Sequence, residues 1–362
     1  MKQTLMLKLA PDASQRMALL ATMEAVNAAC DWLAGWAAER GTTSKWAIQA
    51  ECYRDVRERF GLSAQMTVRA IAKVAAAQKA NKRKAATFRS HGAIAYDSRI
   101  MSFKALERVS LLTVEGRVLI PMRLGNYQRA RMDRQRGEAD LLFRDGRFYL
   151  SVTLDVPEPD AFAPVGTLGV DLGVVNLAVD SDGDTHSGET VDRCREHYAK
   201  RRAKLQSVGT RSARRRLTKT RRREARFRRD RNHVISKQIV GKAQDTKRQI
   251  AVEKLTGIRA RTTVRRPQRS RHSGWAFAQL RMFLTYKARL AGVPVVAVDP
   301  RNTSRGCPQC GHTEKANRRT RNEFVCQSCG HAAPADINAA TNIAGRGEAM
   351  RPKVPGRLHA AA

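Results

Sequence analysis

Three acidic side chains stand at the ends of short apolar or helical segments of the sequence. Asp171 and Glu253 each close an apolar, strand-like run, and Asp336 opens a helical segment. Burying a carboxylate costs several kcal/mol unless something binds it. Taken singly, Asp171 could lie on a solvated sheet face, and Asp336 could simply interact favourably with the dipole at a helix N-terminus. Together, three hard oxygen ligands from separate elements suit Mg²⁺ or Mn²⁺, and two such ions can hydrolyse a phosphodiester.

Four of the seven cysteines form two Cys-x-x-Cys pairs, each followed by glycine. Fifteen residues separate the pairs, whose members are Cys307, Cys310, Cys326 and Cys329. Four thiolates at this spacing predict one tetrahedral Zn²⁺ site, and a four-thiolate shell leaves no open position, so the zinc would be structural. The odd cysteine total and the paired spacing favour metal binding in a reducing compartment over a disulfide framework.

The charge of the chain predicts a polyanionic partner. The 362 residues carry a formal net charge of +35, with a pI near 11 and 6% aromatic residues. Nucleic acid suits this surface, and binding would rest on phosphate contacts more than on base stacking. A membrane surface is the rival partner, but the sequence shows no long apolar span and no signal peptide, which predicts a cytoplasmic, nucleoid-associated protein. No P-loop or Ser-His-Asp pattern is present, which argues against an ATP-driven machine.

In the N-terminal part of the chain, the spacing of apolar residues changes from a helical pattern to a strand-like alternation. Residues 1–10 predict one strand, and residues 11–90 predict a helical insert, whose first helix has one apolar face at Leu19, Met23, Val26, Cys30 and Leu33. Residues 91–160 predict five short strands with hairpin-like turns. The expected architecture is a small β-barrel formed by 1–10 and 91–160, which the helices interrupt.

A proline-rich, acidic linker at 156–160 precedes the C-terminal part. There, GTLGVDLGVVNLAVDSDG predicts a hairpin closed at Asp182-Gly183, and a later helix–strand alternation predicts an α/β layer. The expected domains are an α/β domain at 161–303 and 333–348, a ribbon at 304–332 and a tail at 349–362. The fold class is therefore α+β and multidomain.

Two strongly basic regions are predicted to contact nucleic acid. One is the end of the third N-terminal helix, and the other, at 200–231, predicts two helices hinged near Gly209. Alternatively, residues 200–231 could form a solvated or disordered basic segment. The apolar segments that follow it in the sequence argue against this alternative. The predicted contact residues are Lys82, Arg83, Lys84, Arg201, Arg202, Arg214, Arg215, Arg216, Arg221, Arg222 and Arg223.

The motifs GVDLGVVNLAV, IAVEKL, TSRGCPQCG, FVCQSCG and ADINAATNIA resemble, in order, those of the TnpB family. These are transposon-encoded RNA-guided endonucleases related to the type V CRISPR effectors, and the resemblance is strongest over 165–345. It implies an RNase H-like, RuvC-type nuclease domain, an N-terminal wedge barrel and a helical recognition insert. It also implies Asp171, Glu253 and Asp336 as the catalytic, magnesium-binding triad, with a guide RNA and double-stranded target DNA as partners. Lys254 departs from the family, which usually has an acidic residue there.

Two other functions stay open at this point. One is an RNA-independent RuvC-type transposase or structure-specific nuclease, and the other is an RNA-guided DNA-binding repressor. The presence of all three acids argues against the repressor. The sequence leaves open the guide RNA, the adjacent DNA motif, the transposon or CRISPR context and the oligomeric state.

Overall fold

The computed structural model describes residues 1–81, 85–104, 107–220, 222–255 and 277–351. The chain divides into two compact units, Met1–Pro157 and Glu158–Ala362. The boundary coincides with the predicted proline-rich linker, whereas the finer domain limits stay predictions. Among the described residues, no helix combines the length and apolar character needed to cross a bilayer.

A nearly closed, barrel-like sheet of seven antiparallel strands forms the first unit. Its order is β2-β6-β7-β1-β5-β4-β3. In β7, buried residues alternate with more exposed ones, as expected where one face of a sheet packs on a core. The predicted strands are present, and the sequence missed β3. The strands are β1 (Lys2–Leu9), β2 (Ile94–Tyr96), β3 (Met101–Lys104), β4 (Arg108–Thr113), β5 (Gly116–Arg123), β6 (Gln135–Arg144) and β7 (Arg147–Asp155).

Three helices are inserted between β1 and β2, as the sequence predicted. Each begins at a capping side chain that accepts a hydrogen bond from the backbone of the first turn: Asp12, Ser44 and Ser63. The predicted apolar face of the first helix is buried at all five positions. The helices are α1 (Ala13–Glu39), α2 (Lys45–Phe60) and α3 (Ala64–Ala80), and a short helix α4 (Asn126–Arg129) follows β5.

The second unit contains a five-stranded sheet in the order β10-β9-β8-β11-β12. Strands β8, β11 and β12 are parallel, and β8 and β9 form the predicted antiparallel hairpin. The turn at Gly183, whose φ is 98°, leads into a further strand, β10, which the sequence prediction missed. The strands are β8 (Gly166–Asp171), β9 (Asn176–Asp180), β10 (Thr185–Ser187), β11 (Arg248–Glu253) and β12 (Val295–Val298). A two-stranded sheet in the ribbon consists of β13 (Glu323–Val325) and β14 (Ala332–Pro334).

The basic segment hinges at Gly209, as predicted, but it continues into a third helix. The third helix reaches Asp245 because its second half buries Ile235, Ile239 and Val240 in the core, which the sequence prediction of two helices missed. The helices of this unit are α5 (Glu189–Val208), α6 (Arg211–Thr220), α7 (Arg223–Asp245), α8 (Phe277–Leu290) and α9 (Ala335–Ala349).

Helices cover both faces of this sheet. On β8, Leu168 and Val170 lie in the same core cluster as residues of α7 and α8, whereas Gly169 meets α9. Alternate residues of a strand point to opposite faces, so α9 lies on the face opposite α7 and α8. Burial on both faces is typical of parallel strands.

Helix α9 touches the sheet through two glycines. A Cβ on Gly169 would lie 2.1 Å from the carbonyl oxygen of Ala340. A Cβ on Gly347 would lie 2.5 Å from the Cβ of Ala251 and 2.7 Å from the Cγ2 of Thr167. Gly347, near the C-terminal end of α9, lies against the start of β8, whereas Ala340, earlier in the helix, lies against the middle of β8. The helix therefore runs antiparallel to β8, and its first turn points toward the end where β8 stops.

The two glycines at the end of α9 give a matched test of this packing. Gly347→Ala should destabilise the second unit by roughly 1–3 kcal/mol, because the added methyl group collides with Ala251 and Thr167. Gly345→Ala meets no atom within 4 Å and should be neutral or stabilising by up to about 1 kcal/mol. Urea unfolding of both variants measures the difference. Equal stabilities would contradict the close approach of α9.

Candidate functional site

The sheet places Asp171 and Glu253 side by side. Strands β8 and β11 are parallel neighbours with Val170 opposite Val252, and each acidic residue stands one position beyond that pair. Since Gly169 and Ala251 face α9, the acidic residues two positions later face the same side. Asp336 lies in the first turn of α9, at the end that approaches the ends of these strands. The structure therefore brings the three predicted carboxylates to one edge of the sheet.

The carboxylates act on one another electrostatically. Burial, followed by the charges of Glu253 and Asp336, raises the pKa of Asp171 from 3.8 to about 7, and Arg318 opposes this shift. Burial also raises the pKa of Glu253, against the hydrogen bond from Thr303 and the charge of Arg346. Such like-charge repulsion favours a bound cation. The three carboxylates are not among the described groups whose ligand atoms all lie within 4.8 Å of one another.

Three further side chains contact this group, and sequence reasoning missed all of them. Thr303 donates to Oε1 of Glu253 at 2.5 Å, and Asn176 donates to Oδ2 of Asp336 at 2.9 Å. A guanidinium nitrogen of Arg318, which lies between the two cysteine pairs, is 3.9 Å from Oδ1 of Asp336. The donors lie far from their acceptors in sequence, and Thr, Asn and Arg are ordinary residues in turns, so no local signal identified them.

The four cysteines form the second candidate site. Among the described residues, they are the group of metal-ligating side chains whose ligand atoms all lie within 4.8 Å of one another. The Sγ atoms of Cys307 and Cys329 are 3.6 Å apart, and those of Cys310 and Cys326 are 3.5 Å apart. This confirms the predicted convergence of the two pairs on one position, with a donor set that suits a soft or borderline metal ion.

The two cysteine pairs have the same local structure. The N–H of Cys307 donates to the carbonyl of His312, and the N–H of Cys326 donates to that of His331, at 2.9 and 2.8 Å. Gly311 and Gly330 follow the pairs with φ of 76° and 73°, a conformation that side chains disfavour. The N–H of Cys329 and then that of Ser328 lower the pKa of the Cys326 thiol to about 6, which favours the metal-binding thiolate.

The predicted nucleic-acid contacts lie partly within the described residues. Lys82, Arg83, Lys84 and Arg221 fall outside them. Arg202 is half-buried and pairs with Glu224 at 2.6 Å, which joins α5 to α7. The other predicted residues are exposed on α5, α6 and the start of α7: Arg201, Arg214, Arg215, Arg216, Arg222 and Arg223. Their role in binding stays a prediction.

Two regions of the chain, which contain the carboxylates and the four cysteines, match models of known protein families. Residues 150–259 match the family model described as "Probable transposase", and residues 277–343 match the Cas12f1-like TNB domain. The CRISPR-associated endodeoxyribonuclease Cas12f1 of Sulfoacidibacillus thermotolerans is 30% identical over 220 residues, which are 56% of this chain and 50% of that protein. TnpB-like protein MJ0751 of Methanocaldococcus jannaschii is 28% identical over 198 residues, 52% of this chain and 70% of that protein.

A solved structure shares the fold. The structure of a Cas12f1–sgRNA–target DNA complex superposes with a TM-score of 0.63 at 16% identity, covering 90% of this chain and 82% of that one. The second unit is thus an α/β domain with a four-cysteine ribbon inserted before its last helix. Within this class, the chain is similar to the TnpB and Cas12f proteins. It spans about half the length of Cas12f1, the first of these relatives.

The ribbon has a small apolar core, so we expect its folding to depend on a bound metal. Its buried apolar cluster consists of Cys307, Phe324, Cys326 and Ala335. We expect about one zinc ion per purified chain, and we expect Cys326→Ser to lose it and to expose the amide of Phe324 to hydrogen exchange. Cys194→Ser, on α5, is the control and should retain the zinc. Full protection of Phe324 in zinc-free protein would contradict a structural metal.

Proposed function

We propose that this protein is an RNA-guided DNA endonuclease. The observation that carries this proposal is the group of Asp171, Glu253 and Asp336 at one sheet edge, where burial and then the charges of the other two carboxylates raise the pKa of Asp171 to about 7. Similarity to relatives named as endodeoxyribonucleases supports the reaction class. The proposed reaction is the hydrolysis of phosphodiester bonds in DNA.

The three carboxylates would hold Mg²⁺ or Mn²⁺. Their oxygen donors, drawn from two strands and a helix, fit such hard cations, and the charges of Glu253 and Asp336 add to burial in raising the pKa of Asp171. When bound, divalent ions supply the activation of water and the stabilisation of the leaving oxygen. Asn176 and Thr303 donate hydrogen bonds to Asp336 and Glu253, as described above. Zn²⁺ suits the four thiolates, where it would be structural.

A guide RNA and double-stranded target DNA are the proposed partners. The relative Cas12f1 was solved with sgRNA and target DNA. The net charge of +35 and the exposed arginines of α5, α6 and α7 suit a phosphate backbone. Base pairing would then supply the choice of sequence, and the protein would recognise backbone and shape. We place this complex in the cytoplasm, at the nucleoid.

A cleavage assay tests the proposal. The chain, expressed together with its flanking DNA, should co-purify with RNA and cut matching DNA when Mg²⁺ is added. Asp171→Asn should reduce cleavage roughly 1,000-fold or more and leave DNA binding nearly unchanged, because it removes a metal ligand and no phosphate contact. Asp230→Asn, on an exposed part of α7, is the matched control and should cut like the wild type.

Two outcomes would overturn the proposal in different ways. Specific cleavage that survives RNase treatment, in protein without bound RNA, would support the RNA-independent nuclease. Guided binding without cleavage at any Mg²⁺ or Mn²⁺ concentration would support the repressor. Equal activity of Asp171→Asn and wild type would remove Asp171 from the site.

A further inference from the structure

Thr303 lies at a junction of three segments. Its side chain is 3% exposed, and its hydroxyl lies 2.5 Å from Oε1 of Glu253 and 3.0 Å from the carbonyl of Pro300. Its own carbonyl accepts a hydrogen bond of 2.8 Å from Nδ2 of Asn342 on α9. A single residue therefore connects the strand that ends in Glu253 with the helix that carries Asp336 in its first turn.

The hydroxyl of Thr303 has one proton and two acceptors within reach. An ionised carboxylate is a stronger acceptor than a carbonyl, and the distance to Glu253 is the shorter of the two. The proton therefore goes to Oε1 of Glu253. The other oxygen, Oε2, has no hydrogen-bond donor among the described residues. The bond thus fixes one carboxylate oxygen and leaves the second available.

The segment that carries Thr303 is itself held in place. The carbonyl of Gly306 accepts hydrogen bonds from Nδ2 of Asn342 at 2.7 Å and from Nδ2 of Asn338 at 3.1 Å. Both asparagines belong to α9. Because the helix that carries Asp336 also fastens the turn that carries Thr303, the hydroxyl keeps a fixed position relative to two of the three carboxylates.

We propose that Thr303 is a positioning residue for Glu253, which holds Oε1 so that Oε2 serves as the ligand of a divalent cation. This inference rests on the proposed function, which assigns a cation to the three carboxylates. Without the hydroxyl, Glu253 loses its charge-assisted hydrogen bond and rotates among several rotamers. Donors that orient metal ligands typically contribute about 10–100-fold to metal affinity.

Two substitutions of Thr303 separate the hydroxyl from the packing. Thr303→Val keeps the shape and removes the donor, and we expect it to weaken Mn²⁺ binding about 10–100-fold. Thr303→Ser restores the donor and should bind Mn²⁺ nearly as well as the wild type. Electron paramagnetic resonance of free Mn²⁺ measures the affinity on the full chain, without reference to cleavage. Thr285→Val, whose hydroxyl donates to a carbonyl on α8, is the control for the substitution itself.

A second measurement distinguishes positioning from general damage. The cleavage rate of Thr303→Val should rise toward the wild-type rate as Mn²⁺ is increased, because the ligand itself is retained. Equal Mn²⁺ affinities of Thr303→Val and the wild type would overturn the inference, and so would a Thr303→Ser affinity as weak as that of Thr303→Val.

Glu253→Gln shows which proposal has failed. This substitution should weaken Mn²⁺ binding at least as much as Thr303→Val does. If Glu253→Gln binds Mn²⁺ like the wild type, the carboxylate cation site is wrong, and the role of Thr303 falls with it. If the Mn²⁺ differences appear as expected but the wild type cuts no DNA, the positioning inference stands and the endonuclease proposal fails.

Discussion

The crowding of three carboxylates at one sheet edge is the constraint on which the candidate site depends. Asp171 and Glu253 end neighbouring parallel strands, and Asp336 approaches them on α9. Gly169 and Gly347 let that helix lie close against the sheet, so the charges cannot separate without unpacking the core. Burial, together with the charges of the two neighbouring carboxylates, therefore raises the pKa of Asp171 to about 7. A nuclease site would use this unfavourable arrangement by binding cations there.

The ribbon is joined to this arrangement by hydrogen bonds from α9. Asn338 and Asn342 hold the carbonyl of Gly306, immediately before Cys307. Arg318, between the cysteine pairs, reaches to within 3.9 Å of Asp336. The fold of the ribbon therefore determines the position of the Arg318 guanidinium, and with it the position of a positive charge beside the carboxylates. In this way, the four-cysteine ribbon supports the geometry of the carboxylate site.

The sequence predicted those parts of the site that have local signals. Two Cys-x-x-Cys pairs reveal a ligand set by spacing, and an acid that closes an apolar strand is unusual enough to notice. Thr303 and Asn176 carry no such signal, because their partners Glu253 and Asp336 become neighbours only through the fold. In the basic segment, the high charge concealed the apolar positions that extend α7 to Asp245. The pairing of Arg202 with Glu224 could not be predicted for the same reason as the Thr303 contact.

The stability of Asp171→Asn as a function of pH tests the account most directly. A carboxyl whose pKa is about 7 in the folded chain and 3.8 when unfolded destabilises the fold as pH rises through this range. Without divalent metal, Asp171→Asn should therefore be more stable than the wild type by roughly 1–3 kcal/mol at about pH 9, and equally stable at about pH 4. Urea unfolding, read by pulsed hydrogen exchange on β8 and β11, measures this difference. Saturating Mn²⁺ should reduce or reverse the advantage, since only the wild type keeps the full ligand set. A variant that is less stable than the wild type at both pH values would contradict the account, because the Asp171 carboxylate would then stabilise the metal-free fold instead of destabilising it.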